Sequence, residues 1–210
     1  MASSTGKATG KPPPVFVITG TSGAGKGTLV QELLKRVPEV ALAVSATTRK
    51  RRPGEIDGVH YWFISDEEFD QRLAEDDFLE YYAFPWGQRS GTLWSELDRI
   101  RDQGKAPLLE LEPNGALAVK GRVPDTVLFF IHAPDFEELE RRLRERATES
   151  AGEIEERLAL SRRQLDQAEQ CDYLIVNDEV ERAAEELAGI VRRALDGSAV
   201  AGPINTPPTR

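Results

Sequence analysis

The sequence of 210 residues carries 36 acidic and 27 basic side chains, which gives a formal net charge of −9. This charge argues against a protein that binds nucleic acid or an anionic membrane through bulk electrostatics. The length suits one α/β core with small insertions, and 40% hydrophobic with 30% charged residues is ordinary for a globular domain. The single cysteine, Cys171, excludes an intrachain disulfide and suits a reducing, cytoplasmic compartment, and no apolar run is long enough to predict a membrane span.

The first strongly patterned stretch is a glycine-rich turn that joins an apolar run to a helical pattern. Residues 15–19 predict a strand, and apolar residues at positions 29, 30, 33, 34 and 37 have helical spacing. The turn between them matches the phosphate-binding pattern G-x-x-x-x-G-K-[ST], except that glycine stands where the first hydroxyl is expected. Glycine N–H groups, a helix start and a lysine together attract phosphate oxygens, so the turn predicts a nucleoside triphosphate site. The residues assigned to this site are Gly20, Thr21, Ser22, Gly23, Ala24, Gly25, Lys26, Gly27 and Thr28.

Farther along the chain, apolar runs alternate with helical patterns, which predicts a mainly parallel sheet covered by helices. Strands are expected over residues 40–45, 106–112, 126–132 and 173–178, and helices over residues 92–101, 135–146, 154–165 and 180–195. Residues 1–14 and 197–210 are expected to be disordered tails, and the first of them lacks the apolar segment of a signal peptide.

Residues 45–92 differ in character from the alternating elements around them. The segment begins with a basic, turn-rich stretch and continues with two short strand candidates, residues 60–65 and 78–84. A helix over residues 66–73 separates these strands, and Ser65 or Asp66 would cap it. The block predicts a small subdomain inserted over the sheet.

The insert begins with a group of arginines, Arg49, Arg51 and Arg52. A solvated surface turn is the ordinary explanation of such a charge run. In an acidic chain that also carries a phosphate loop, arginine forks are suited to hold a second anion through bidentate contacts.

A second group of arginines lies in the helices that follow residue 135. Arg142 and Arg146 share a helix face, and Arg157 follows a glycine-containing break. Ion pairs with i,i+4 spacing, such as Glu138 with Arg142, explain this group as well as a functional role does. Arginines on both sides of a mobile segment can also close over a transferring phosphoryl group. The two histidines indicate no general base, and none is needed if the acceptor is a phosphate, which is largely dianionic at neutral pH.

In order and spacing, these motifs resemble the guanylate kinase family over roughly residues 15–195. Beyond the phosphate loop, the resemblance rests on Ser45, Arg49, Arg52, Gly58, Tyr61, Glu80, Gly91, Thr92, Arg142, Arg146, Arg157, Asn177 and Asp178. It implies an α/β fold with a three-layer P-loop kinase core around a five-stranded parallel sheet, a small GMP-binding α+β insert and a short helical lid. One domain would span residues 15–196, with the core in 15–44, 93–141 and 158–196, the insert in 45–92 and the lid in 142–157.

The resemblance also implies the substrates, with ATP as phosphoryl donor, GMP as acceptor and Mg²⁺ as the metal ion. The residues implied for the acceptor are Arg49, Arg52, Glu55 and Tyr61 on the phosphate side, Ser45, Glu80 and Thr92 at the guanine, and Glu110 and Glu112 at the edge of the core. The residues implied for stabilising the transferring group are Lys26, Arg52, Arg146 and Arg157. Arg142, Asn177 and Asp178 would join the phosphate loop in binding ATP, and Thr28 and Glu110 are the candidate Mg²⁺ ligands.

Three positions depart from the pattern of the family. Ser90 stands where a tyrosine that contacts the GMP phosphate is expected, with Arg89 as a substitute, and Glu110 and Glu112 replace two aspartates. Two alternatives therefore stay open. One is a related kinase with another phosphorylated acceptor, such as ribose 1,5-bisphosphate, and the other is a non-catalytic guanylate-kinase-like interaction domain. No nucleic acid or membrane partner is expected, and the sequence favours neither a monomer nor a homo-oligomer.

Overall fold

The computed structural model describes residues 12–84, 86–145 and 151–198, without the side chains at positions 145, 151–154, 156 and 157. Most of both predicted tails, together with Arg146, lies outside the described residues. None of the helices in the described ranges combines the length and the apolar composition that crossing a bilayer requires.

In chain order the elements are β1 (Val15–Gly20), α1 (Lys26–Arg36), β2 (Val40–Leu42), β3 (Ala46–Thr47), β4 (Trp62–Phe63), α2 (Asp66–Ala74), β5 (Phe78–Ala83), β6 (Arg89–Leu93), α3 (Trp94–Asp102), β7 (Ala106–Glu110), α4 (Pro113–Arg122), β8 (Thr126–His132), α5 (Phe136–Glu145), α6 (Ala151–Leu165), β9 (Tyr173–Val176) and α7 (Val180–Leu195).

The main sheet has five strands in the order β2-β7-β1-β8-β9, and every neighbouring pair is parallel. The predicted α/β class with a five-stranded parallel sheet is therefore confirmed. The chain moves to one side of β1 for β2 and β7 and to the other side for β8 and β9. In open sheets of this kind, ligands bind beyond the carboxyl ends of the strands at such a reversal. The phosphate loop begins at the carboxyl end of β1, which is this position.

Two apolar layers enclose the sheet. Phe16 and Ile18 of β1 pack with buried residues of α1 and α7, while Val15 and Val17 pack with Leu97 of α3 and with buried residues of α4. Consecutive side chains of a strand point to opposite faces, so these four residues supply both layers. All six residues of β1 are buried, as a strand covered on both faces requires.

The insert forms a second sheet of four strands in the order β4-β3-β6-β5. Helix α2 packs on it through Phe69, which lies 4.3 Å from the ring centre of Phe78. The predicted cap of α2 is confirmed, because the Ser65 hydroxyl accepts from the Glu68 N–H at 3.1 Å. Arg122 of α4 fastens the insert to the core by donating to the Phe78 carbonyl at 2.6 Å and to both carboxylate oxygens of Asp76.

The structure corrects three of the predicted elements. The helix expected over residues 92–101 begins only at Trp94, because Thr92 and Leu93 pair with β5 as part of β6. Strands were expected over residues 40–45 and 60–65, but the structure keeps only Val40–Leu42 and Trp62–Phe63. Helix α4 was not predicted, because proline and two glycines weaken its helical signal. The predicted lid, residues 142–157, falls partly outside the described ranges and stays a prediction.

Candidate active site

The phosphate loop has a backbone conformation that only glycine accommodates at its two ends. Gly20 leaves β1 with φ 141°, and a Cβ there would overlap the carbonyl group of Ile131. Gly25 precedes α1 with φ 84°, and a Cβ there would lie 2.5 Å from the amide nitrogen of Asn177. The loop is thereby fitted to β8 on one side and to the end of β9 on the other. By contrast, a Cβ at Gly27 would meet no atom within 4 Å, so packing does not impose this departure from the pattern.

Lys26 lies over the loop from which it starts. Its ammonium group donates to the carbonyls of Gly20 at 2.9 Å and Thr21 at 3.1 Å. It also acts on Glu110, at the end of β7. Loss of solvation raises the pKa of Glu110, Lys26 partly opposes this effect, and Glu112 adds repulsion. The Glu110 side chain is nevertheless open to solvent on one side, so the protein around it crowds the carboxylate without enclosing it. The charges of Lys26 and Glu110 therefore act on each other beside the phosphate loop.

Of the three residues expected to join the phosphate loop in binding ATP, Asn177 contacts the loop directly and Arg142 contacts Asn177. The Asn177 side chain donates to the Ala24 carbonyl at 2.7 Å, and Arg142 donates to the Asn177 carbonyl at 2.9 Å. Arg142 also pairs with Glu138 at 2.7 Å, so the i,i+4 ion pair and the bond to Asn177 coexist. Asp178 is engaged elsewhere, since its carboxylate accepts from the Glu179 N–H at the start of α7 and from Arg182.

The insert presents a buried carboxylate on its sheet. Both the N–H and the hydroxyl of Thr92 donate to Glu80 Oε1 at 2.9 Å. Glu80 is only 8% exposed, and this loss of solvation raises its pKa in spite of the two bonds. Its other oxygen, Oε2, lies beside α4, where a Cβ on Gly115 would approach it to 3.0 Å. Ser45 is half-buried on the chain leading into β3, where its carbonyl accepts from the Trp62 N–H at 2.9 Å.

An arginine is held at the other end of the insert. The Arg49 guanidinium donates to the two carboxylate oxygens of Glu55 at 3.0 and 2.7 Å. Its carbon lies 5.2 Å from the ring centre of Tyr61. The Arg49 side chain and the Arg52 N–H hold the pKa of Glu55 at about 2. Glu55 thus positions the Arg49 side chain and the main chain of Arg52, while the Arg52 side chain is exposed to solvent.

Comparison with known proteins identifies the family. A family model described as guanylate kinase matches residues 13–194 of the chain. The chain belongs to the guanylate kinase family.

Individual members of the guanylate kinase family agree with this match. The chain is 44% identical over 177 residues to a guanylate kinase of Desulfitobacterium hafniense, covering 84% of this chain and 88% of that one. It is 41% identical over 187 residues to a guanylate kinase of Rubrobacter xylanophilus, covering 87% and 95%. The crystal structure of guanylate kinase from Anaplasma phagocytophilum superposes with a TM-score of 0.68 at 27% identity, over 87% of this chain and 86% of that chain.

Ser90 and Arg89, the two candidates for the role of the missing tyrosine, point to opposite faces of the insert sheet. Ser90 and Thr92 alternate with Arg89 and Gly91 in β6, so Ser90 shares the face of the Glu80–Thr92 pair. The Ser90 hydroxyl donates to the Ala46 carbonyl at 2.9 Å. Arg89 extends the opposite way, where it pairs with Asp66 and Asp70 and lies 4.5 Å from the Phe69 ring centre. Arg89 is therefore engaged with α2, and Ser90 is the residue that faces the candidate site.

Each of the two histidines has a hydrogen-bond partner within the fold, and Cys171 is buried. The His132 ring bonds to the Ala133 carbonyl, and His60 accepts from the Ile56 N–H at 3.0 Å. Burial raises the pKa of the Cys171 thiol to about 12, which makes it unreactive at neutral pH.

Arg146 lies outside the described residues, and Arg157 lies in α6 without a described side chain. The roles implied for both arginines stay predictions.

Two residues of the site were missed by sequence reasoning. Gly115 leaves room for the Glu80 carboxylate, and Gln164 of α6 bonds to both Ser22 and Glu112. Gly115 lies 35 positions from Glu80, and no local feature of the sequence links the two residues. Gln164 lies one position before Leu165 in the predicted helix, and no motif of the sequence singles it out.

Proposed function

We propose that the protein transfers the γ-phosphoryl group of ATP to GMP, giving ADP and GDP, and that dGMP is a further acceptor. The observation that carries the choice of acceptor is the buried Glu80–Thr92 pair in the insert. It stands in a chain of the guanylate kinase family that retains a phosphate loop with Lys26. Both halves of a phosphoryl transfer between nucleotides are therefore supported.

The hydrogen bonds of this pair favour guanine. Oε1 of Glu80 already receives both donors of Thr92, and the Thr92 hydroxyl uses its proton in this bond. The groups left for a base are then acceptors, namely Oε2 of Glu80 and the hydroxyl lone pairs. Guanine presents N1–H and an exocyclic amine on one edge, whereas adenine has no N1–H. A base without these donors would leave Oε2 of this buried carboxylate unpaired, which selects strongly against it.

The acceptor phosphate is expected to bind at Arg49, Arg52 and Tyr61. Because Glu55 holds Arg49 through two bonds, the guanidinium is oriented before the substrate arrives. The nucleophile is a phosphate oxygen that is already ionised at neutral pH, so no side chain has to remove a proton. Catalysis then depends on positioning and on neutralising charge, which Lys26, Arg52, Arg146 and Arg157 are proposed to do.

Thr28 and Glu110 are the proposed protein ligands of Mg²⁺. Both side chains are exposed, and a hydroxyl and a carboxylate are oxygen donors of the kind that Mg²⁺ takes. Among the described residues there is no group of three or more His, Cys, Asp or Glu side chains suited to a metal ion. The remaining ligands would be phosphate oxygens and waters, and the bound ion would neutralise charge on the donor phosphates.

The proposed reaction places the protein in purine nucleotide metabolism. We expect it to act in the cytoplasm, where ATP and GMP are available, without nucleic acid or membrane partners. Neither a monomer nor a homo-oligomer is favoured by the contacts within this chain.

A coupled assay of ADP release tests the proposal with GMP, dGMP, AMP, CMP, UMP and ribose 1,5-bisphosphate as acceptors. We expect GMP to give the highest kcat/KM, with dGMP next and the other nucleotides at least about 100-fold lower, as a site built on hydrogen bonds to the base predicts. Turnover of another acceptor without turnover of GMP would contradict the base assignment. Absence of turnover with every acceptor would favour the interaction domain.

A further inference from the structure

Gln164 joins the phosphate loop, proposed for the donor, to the start of α4, which lies beside the group proposed for the acceptor. This residue of α6 is only 5% exposed, and its carboxamide contacts two distant parts of the chain. Its Oε1 accepts from the Ser22 N–H of the phosphate loop at 3.3 Å. Its Nε2 donates to Oε2 of Glu112 at 2.7 Å, at the start of α4. One side chain therefore spans from the loop to the turn that follows β7.

The chemistry of the two partners fixes the carboxamide in one orientation. A backbone N–H can only donate, and a carboxylate can only accept. An amide satisfies both at once, whereas a glutamate at this position would place a second carboxylate against Glu112. A leucine of similar size would leave the N–H and the carboxylate without this partner.

The contact with Glu112 reaches the pocket proposed for guanine. Glu112 precedes the first turn of α4, and Gly115 lies in that turn. A Cβ on Gly115 would come within 3.0 Å of Glu80 Oε2, so the position of this turn determines how much room the carboxylate has. Gln164 is thus connected through Glu112 and α4 to the group that is proposed to select guanine.

A second glutamine of the chain provides an internal comparison. Gln167 donates to Asn114 Oδ1 at 2.7 Å, which also joins the end of α6 to α4. This bond is exposed and does not reach the phosphate loop. Only Gln164, of these two, links α4 to Ser22.

We infer that Gln164 is a positioning residue that holds Ser22 of the phosphate loop and the first turn of α4 in one fixed relation. By doing so, it sets the position of the donor subsite relative to the acceptor subsite. This inference rests on the proposed function, because it assigns Glu112 and Gly115 to the acceptor side.

Three variants of the full chain test this role. Gln164→Leu removes both hydrogen bonds, Gln164→Glu keeps an acceptor for Ser22 but opposes Glu112, and Gln167→Leu is the matched control. We expect Gln164→Leu to raise the Kd of both GMP and a non-hydrolysable ATP analogue by about threefold to tenfold, the usual effect of one lost hydrogen bond. Gln164→Glu should raise the Kd of GMP alone, and Gln167→Leu should change neither by more than about twofold.

The split between the two ligands distinguishes positioning from a merely structural role. If Gln164→Glu weakens the ATP analogue as much as Gln164→Leu does, or if both leave GMP binding unchanged, the inference is overturned. A fall in Tm without any change in the two Kd values overturns it as well. Wild-type turnover of GMP is measured in the same series. Its absence refutes the proposed function, whereas an active wild type without the split refutes only the role of Gln164.

Discussion

The donor and acceptor halves of the candidate site differ in whether main chain or side chains shape them. The phosphate loop is shaped by main chain, since Gly20 and Gly25 approach their neighbours too closely for any side chain. The acceptor half is shaped by side chains, through the Glu80–Thr92 pair and the Arg49–Glu55 pair. A main-chain site recognises a group common to all nucleoside triphosphates, whereas side chains can be exchanged to suit one acceptor. We therefore expect changes in the loop to affect the reaction with every acceptor, and changes in the insert to affect which acceptor is used.

The two halves also differ in the core that supports them. The loop follows β1, whose six residues are all buried between two helical layers. The sheet of the insert rests on a small cluster of buried side chains, Ala46, Phe69, Phe78 and Leu93. Regions with few buried apolar contacts open more readily, so the insert is the part expected to move when substrates bind.

Lys26→Met should give the largest effect, because it removes the charge proposed to serve the donor phosphates whichever acceptor is bound. We expect kcat to fall by about 10²- to 10³-fold, as for loss of one preorganised charge-stabilising group. Steady-state kinetics with GMP and dGMP measures this loss, and thermal denaturation tests the fold. A loss for one acceptor only would break the assignment of Lys26 to the donor half.

Glu80→Gln should come next and should act on the acceptor alone. Removing the charged acceptor of a buried hydrogen-bond pair is expected to lower kcat/KM for GMP by about 10²-fold, with KM for ATP unchanged. Initial rates at varied ATP and GMP separate the two effects. An equal rise in both KM values would contradict the separation of the halves.

The pKa of Glu80 adds a test in pH. Burial raises this pKa, and the proposed contact with guanine needs the ionised form. GMP affinity should therefore fall as the pH drops through a value above that of an ordinary glutamate. A raised carboxylate pKa also means that ionisation costs stability at neutral pH and that this cost disappears as the pH falls. Glu80→Gln should therefore be at least as stable as wild type at pH 7. Its GMP affinity should not show the fall at low pH that is expected of the wild type.

Gly115→Ala sharpens the comparison on the acceptor side. Its Cβ would lie 3.0 Å from Glu80 Oε2, so the carboxylate must shift. We expect KM for GMP to rise by about tenfold, within the 1–3 kcal/mol typical of overpacking. Gly121→Ala is the control in the same helix, because a Cβ there meets no atom within 4 Å. That control should leave KM unchanged and should raise Tm, since alanine favours helix over glycine. Equal effects at both positions would sink the steric explanation.

Ser90→Tyr should have the smallest effect, in the favourable direction. Ser90 shares the face of Glu80 and Thr92, whereas Arg89 is engaged with Asp66 and Asp70. A phenol at position 90 is expected to add one hydrogen bond to the GMP phosphate and to lower the Kd by about threefold. Isothermal titration with GMP measures it, with Ser90→Phe as the control that lacks the hydroxyl. Equal behaviour of the two variants would show that the hydroxyl contributes nothing.

The sequence predicted the donor half better than the acceptor half because the loop is local. Strand, glycines, lysine and helix follow one another between residues 15 and 36, and the structure keeps them in that arrangement. In the insert, β3 has only two residues, and β6 lacks an alternation of apolar and polar residues. Both are defined by their pairing with each other and, for β6, by its pairing with β5. Helix α4 was missed because its stability comes from burying Ala116 and Val119 and not from helix propensity.

The roles of Gly115 and Gln164 could not be predicted for a related reason. Each depends on one contact between residues that are far apart along the chain. Ser22 and Gln164, for instance, are separated by 142 positions. Composition and spacing report neighbours in sequence, so only the folded arrangement shows which turn lies behind Glu80.

The bonds of Arg122 to the insert limit how this fold can exchange segments in evolution. This arginine of α4 binds the main chain of β5 and also stacks 5.0 Å from the ring centre of Trp94, where the chain returns to the core. A transplanted insert would lose this anchor unless α4 travelled with it. An exchange of acceptor preference between homologues therefore requires two separate segments of the chain, the insert and α4. A chimaera that receives the insert alone is expected to fold poorly.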